Sequence, residues 1–349
     1  MKRVDIGARA HTNGAHKARE RGGVTRRSFM TGLAVLGCAF PVALPAQQAQ
    51  PARVRRIGLV IGDESQGLEA AFRETLRDQG YIEGQNLLIE TRYSLRSPSG
   101  PGVTADLVNM NLELVVVPSL VSALVAQKAN PSMPLVIATT PGMISNGFAK
   151  SIERPGGTAT GIEELPPGVT ATRLQLLKTA APAVSRVALL STTPGRGGHE
   201  TQLTDAQDAA AKLGVAVKPY RATTIAELKQ ALAAIAAESM NGLMTFQGGL
   251  SYVNRQLIVD FAAAQRMPGM YQATVFATAG GLMTWAPDLV DQFRVAAGYV
   301  DQILKGAKAG DLPIRYPARY YLTLNNTTAR NLGLTFPPAV LSKADRVLP

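Results

Sequence analysis

"ELVVVPSLVSALVAQKANPSMPLVIATT" occupies residues 113–140. Glu113–Val117 and Pro134–Ala138 are short, nearly continuous aliphatic runs, the mark of parallel strands covered on both faces. Ser119 follows the first run and starts a helix between the two. Strand, helix, strand is the unit from which the rest of the chain can be read outward. Toward the N-terminus lie two more candidate strands, Arg56–Ile61 and Asn86–Thr91, with Leu68, Phe72 and Leu76 forming a helical stripe between them. Toward the C-terminus a second series begins: Arg186–Leu190, Val215–Pro219, Gly242–Phe246 and Pro268–Tyr271. Leu174 and Leu177 mark a helix that ends before Pro182. Ile225–Ile235 is Ala-rich and periodic. Val290, Phe293, Ala297, Val300 and Leu304 form a long stripe that stops at Gly306. Two doubly wound α/β units follow from this alternation. No repeat of 20–50 residues is present, and the one low-complexity segment is the loop Ser97–Gly102.

The first 50 residues are of a different kind. Phe29–Ala46 carries no charge, is rich in small residues and is broken by Pro41 and Pro45. A basic segment, an apolar stretch and a small-residue exit near Ala46 or Ala49 fit an export signal better than a spanning helix. Thr25–Met30, with Arg26 and Arg27, resembles the twin-arginine signal, an address read by a receptor. Val35–Cys38 resembles a lipobox, but the residues after Cys38 stay apolar, so cleavage near Ala46 is the expectation and lipid anchoring the alternative. With eight basic and two acidic residues this leader carries +6 of the chain's +11. The remaining 28 basic and 23 acidic residues give a mild positive excess, with no basic stripe or motif that argues for nucleic acid.

Removing the leader also removes chemistry. Cys38, His11 and His16 leave with it, and His199 is the one histidine that stays. A thiol nucleophile, a disulfide framework and any site of two or more histidines are excluded. No Gly-x-Ser-x-Gly elbow occurs. No cofactor or metal is expected.

Parallel sheets present their functional surface at the carboxyl ends of the strands, and a two-lobed chain places a ligand between those ends. The loops concerned are 62–66, 118–122, 139–143, 191–199, 247–252, 272–276 and 285–288.

"LRDQGYIEGQNLLIETRY" (76–93), "GFAKSIERPGGTATGIEEL" (147–165), "GGLMTWAPDLVDQFRVAAGYVDQILKGAKAGDLPIRYP" (280–317) and "LNNTTARNLGLTFPPAVLSKADRVL" (324–348) resemble one family. It is that of the periplasmic substrate-binding proteins of ABC transporters related to the tryptophan-binding TrpX type. The resemblance runs from about Val54 to Leu348. It implies a type I periplasmic-binding fold, two Rossmann-like lobes joined by three crossing segments. It also implies capture of a small molecule by hinge closure and delivery to a membrane permease; separately, a monomer is expected. The crossings are expected near Thr160–Pro167, Gly281–Trp285 and Tyr316–Leu324. The lobes would then be 51–162 with 285–315, and 163–284 with 316–349.

Eight residues are candidates for ligand contact. Ser119 either caps its own helix or, with Leu120 and the free amides, binds a ligand carboxylate. Thr139 and Thr140 either cap a turn or donate to the same group. Gln247 is a candidate amide contact, and Ser65 lies in the first loop. Tyr271 and Trp285, the only tryptophan, are candidates for stacking on an apolar or aromatic ligand, or else rim and core residues. Thr139–Gly147 lacks the acidic turn common among relatives, and Arg196 and His199 stand in a changed loop. A ligand ammonium usually needs a buried carboxylate, so an apolar or aromatic carboxylate is favoured over an amino acid. Asp63 and Glu64 keep the amino acid open. The competing functions are an exported α/β hydrolase or lyase and a ligand-sensing subunit of a membrane receptor.

Overall fold

The computed structural model describes residues 54–62, 67–94, 100–192 and 197–349. The export signal, Cys38, Ser65, the Asp63–Glu64 pair and Arg196 lie outside the described residues.

The first sheet is built from β1 (Arg55–Ile61), β2 (Leu87–Tyr93), β3 (Leu114–Val117), β4 (Leu135–Thr140) and β5 (Ala159–Glu163). Its order is β2-β1-β3-β4-β5, parallel throughout. The helices α1 (Leu68–Asp78), α2 (Val103–Val108) and α3 (Leu120–Ala129) connect its strands. All four residues of β3 are fully buried, as a strand covered on both faces requires.

The second unit runs through α4 (Val169–Ala180), β6 (Arg186–Ser191), α5 (Gly197–Leu213), β7 (Ala216–Arg221), α6 (Ile225–Ala237) and β8 (Gly242–Thr245). It continues with α7 (Gly249–Val253), α8 (Arg255–Ala264), β9 (Gly269–Tyr271), α9 (Thr274–Thr278) and β10 (Met283–Pro287). The chain then returns to the first sheet as α10 (Leu289–Leu304) and comes back as β11 (Tyr320–Asn325), α11 (Asn326–Asn331), α12 (Pro338–Leu341) and β12 (Arg346–Leu348). The second sheet has the order β12-β11-β10-β9-β8-β6-β7, and β10 with β11 is its antiparallel pair. These are two doubly wound α/β lobes. Phe293, Ala297 and Val300 of α10 pack with Phe72 and Leu76 of α1 in the first core, so the apolar stripe read from the sequence is the one that is buried. Asp288 caps α10, its Oδ1 accepting from the Val290 amide at 2.7 Å.

The chain passes between the sheets three times, after β5, at Asp288 and before β11. The stretches expected as crossings are themselves partly strands. β10 keeps Trp285, Ala286 and Pro287 on the second sheet, so the switch falls three residues beyond the expected boundary at Trp285. The third return is anchored to β5, where Arg315 bridges Ile162 and Thr160 Oγ1 donates to the Leu312 carbonyl at 2.9 Å.

Gly161 fixes how β5 lies on β4. Its φ is +144°, and a Cβ there would stand 2.0 Å from the Ile137 carbonyl oxygen. Only glycine tolerates both the dihedral and the approach. The β4–β5 register shifts at this place, and the two residues after Ile162, Glu163 and Glu164, are delivered to the top of the sheet. Among the described residues, no helix is long and apolar enough to cross a membrane.

Candidate functional site

A cavity of about 850 Å³ lies at the carboxyl ends of the strands and is lined by residues of both lobes. This is where the end-of-strand rule places a ligand.

Its first-lobe wall is polar at one place. α3 starts there with Ser119 in extended conformation, the Ser119 Oγ accepting from the Ser122 amide at 3.4 Å. The earlier amides of this first turn have no intrahelical carbonyl to meet, and they stand at the positive end of the helix dipole. Ser119 and Leu120 both line the cavity. Thr139, at the end of β4, lines it too.

Two glutamates follow β5's Ile162, and their surroundings differ. Glu163 is buried and accepts from the amides of Gly142 at 2.9 Å and Met143 at 2.8 Å, and more loosely from that of Leu165. It holds the turn after β4. Glu164 is 3% exposed and lines the cavity. Thr139 Oγ1 donates to its Oε2 at 2.6 Å, and the Gln247 side-chain amide donates to its Oε1. Burial pushes both carboxyls above the ordinary range. For Glu163 the three amides work against that, and for Glu164 the Thr139 hydroxyl and the charge of Arg173 do. Arg173 of α4 is 1% exposed. Its Nε donates to the Trp285 carbonyl at 2.9 Å, while neither terminal nitrogen has a partner. Burial lowers its pKa, with Glu164 opposing.

The second-lobe wall is mainly apolar at Leu250, Val253 and Val275, with Tyr252 among them. Two of its polar residues, Gln272 and Thr192, are held by neighbours. Gln272 receives a hydrogen bond from Thr245 and donates to Ser251 Oγ at 2.9 Å, and the Ser251 amide donates to Thr192 Oγ1 at 3.1 Å. Leu289, Val290 and Phe293 close the cavity where α10 begins.

Of the sequence candidates, the structure brings together Ser119, Leu120, Thr139 and Gln247. Three others are placed elsewhere. Thr140 is buried with its hydroxyl toward the Pro141 carbonyl. Tyr271 is buried flat against Phe276, centroids 5.0 Å apart. Trp285 packs on Tyr320 at 4.7 Å. His199 is buried beside Phe246, outside the cavity lining. Glu164 and Gln272 were not singled out from the sequence. The signal for Glu164 was present in Thr-Gly-Ile-Glu-Glu, but the acid was sought in the turn after β4.

Residues 57–348 match the model of the family described as ABC transporter substrate binding protein. The chain belongs to that family of extracytoplasmic binding proteins, whose members serve ABC transporters. It is 22% identical over 264 residues to a tyrosine-binding protein of Clostridioides difficile (strain R20291), covering 75% of each chain. Among solved structures it is similar to an ABC domain from Streptococcus pneumoniae in complex with L-Trp, with 22% identity and a TM-score of 0.77 over 84% of this chain and all of that one. A conserved domain protein from Vibrio cholerae has 22% identity and a TM-score of 0.76 over the same shares. These likenesses establish the type I periplasmic-binding fold.

Proposed function

We propose that the cavity takes up a small organic carboxylate with an apolar or aromatic body, and that closure of the lobes presents it to a membrane ABC permease. One observation carries this reading. The N-terminus of α3, a ready anion site, opens into a cavity whose other walls are largely apolar. A ligand touching both lobes binds the closed form better and shifts the population toward it. The tyrosine-binding relative and the L-Trp complex agree with this ligand class. The protein acts as a monomeric binder and not as an enzyme. His199, the one histidine outside the leader, is not among the residues that line the cavity. The twin-arginine motif would carry the folded chain to the periplasm, with cleavage near Ala46.

A thermal-shift screen tests the reading, with amino acids, aromatic and aliphatic carboxylates, and sugars as the panel. A ligand at 100 times its Kd stabilises the folded state by about 2.7 kcal/mol. Hits confined to carboxylates are expected. Hits confined to sugars would contradict the proposal.

A further inference from the structure

A second, smaller cavity of about 250 Å³ lies against α10 and shares no lining residue with the first. It is lined by Arg294, Val295, Gly298, Tyr299 and Gln302 of α10 and by Arg315 of the third crossing. Arg294, Gly298 and Gln302 stand four apart and so share one face of the helix. Glycine is among the poorest residues for a helix interior, and nothing in the described chain requires one at 298. Its φ is not in the left-handed region, and a Cβ there would meet no atom within 4 Å. What the glycine provides is room, an unfilled floor between the side chains one turn to either side.

The charge is as one-sided as the shape. The Arg315 guanidinium lies over the Tyr299 ring, 5.7 Å from its centroid, an arrangement that holds a cation in place. Tyr299 is fixed in turn, its hydroxyl donating to the Pro313 carbonyl at 2.5 Å. Among the described residues no carboxylate pairs with Arg315. Arg294 meets Asp291 at 2.7 Å, but both side chains are half-exposed, where an ion pair holds weakly. Two guanidiniums therefore line one small cavity, and no acid among the described residues lines it with them.

We propose that this cavity is a site for a small oxyanion of the phosphate class, free or as a monoester, held between Arg294 and Arg315 over Gly298. Guanidinium forks match the geometry of phosphate oxygens and grip them with paired, charge-assisted hydrogen bonds. A dianion balances two like charges that otherwise repel. The site also sits where an anion has mechanical consequence. Arg315 belongs to the third crossing and is joined to β5 by its backbone, its amide donating to the Gly161 carbonyl at 3.0 Å and its carbonyl accepting from the Glu163 amide at 2.9 Å. Arg294 belongs to α10, which is packed into the first core through Phe293, Ala297 and Val300. An anion gripped by both arginines ties the third crossing to the first lobe. The site is independent of what the larger cavity binds.

Calorimetry of the purified protein at low ionic strength tests the site, with inorganic phosphate and glycerol phosphate as probes. Wild type is expected to bind one equivalent of at least one probe, and an equal concentration of chloride should not displace it. Which probe binds separates the free ion from the monoester. Arg315→Gln, at an exposed position, should weaken that binding at least about tenfold, the loss of a hydrogen-bonded charge. Gly298→Leu fills the floor and should weaken it by at least about as much. Gly298→Ala isolates the glycine argument. It puts the best helix former where no atom obstructs a Cβ, so the anion-free variant should melt at a higher temperature than wild type. Failure of both probes to bind wild type, full displacement by chloride, or unchanged affinity in Arg315→Gln or Gly298→Leu would overturn the proposal. So would a Gly298→Ala chain that melts lower, since the glycine would then serve the fold. The wild-type titration needs no variant, so a variant that failed to fold would leave the site still open to refutation.

Discussion

The turn after β4 and the cavity wall beside it are each built on a buried glutamate, and the two glutamates are adjacent in the chain. In the turn, Glu163 is saturated by backbone amides from Gly142, Met143 and Leu165. In the wall, Glu164 meets only side chains, and it faces open space. The first arrangement shapes backbone and leaves nothing for a ligand. The second leaves lone pairs unused in a cavity. Burial alone therefore does not distinguish a structural acid from a functional one. The identity of its partners does.

The comparison breaks most completely if both acids lose their common platform. Gly161→Ala puts a Cβ into the Ile137 carbonyl at a strongly positive φ. Overpacking and backbone strain together should cost about 3 kcal/mol or more, measured by urea unfolding. A loss under about 1 kcal/mol would mean that β5 can slide. Glu163→Gln sharpens the contrast. Gly142 and Met143 donate to different oxygens of Glu163, so an amide must set one N–H against another. About 1–3 kcal/mol should be lost. Glu164→Gln should lose nothing at neutral pH, because Thr139 and Gln247 can both reorient. Equal losses would erase the distinction.

A smaller effect lies in pH. Both folded carboxyls are raised above their unfolded range. The folded state then holds the proton more tightly, and each group's contribution is full below about pH 4.3 and is lost as pH rises through the folded pKa. The ligand-free protein should therefore lose stability on going from pH 4 to pH 8. Thermal melts of Glu164→Gln should fall less steeply over that window. Parallel curves would mean that Glu164 does not titrate there. The smallest effect belongs to Trp285. Its ring packs on Tyr320, so Trp285→Phe should cost about 0.5 kcal/mol and leave ligand affinity within about threefold by calorimetry.

The parallel strands were legible because runs such as Leu114–Val117 are aliphatic throughout, which only a doubly covered strand permits. β5, β10 and β11 were not. They are short, mixed in character and tied to the crossings, and their pairing is set by tertiary contacts. The site was legible to the loop but not to the residue. Thr139 lines the cavity and Thr140 does not; Gln272 does and Tyr271 does not; Ala286 does and Trp285 does not. Successive strand residues point to opposite faces, so at Thr139 and Thr140 of β4 a one-residue step reverses the assignment. Sequence alone did not fix that parity at the strand ends. Glu164 needed more still, since its place depends on how Gly161 lets β5 lie against β4.

The most direct test of the account is calorimetry of the best ligand from the panel against its own primary carboxamide. If the start of α3 holds the carboxylate, the uncharged amide should bind at least about a hundredfold more weakly. Equal affinity of the acid and the amide would contradict it.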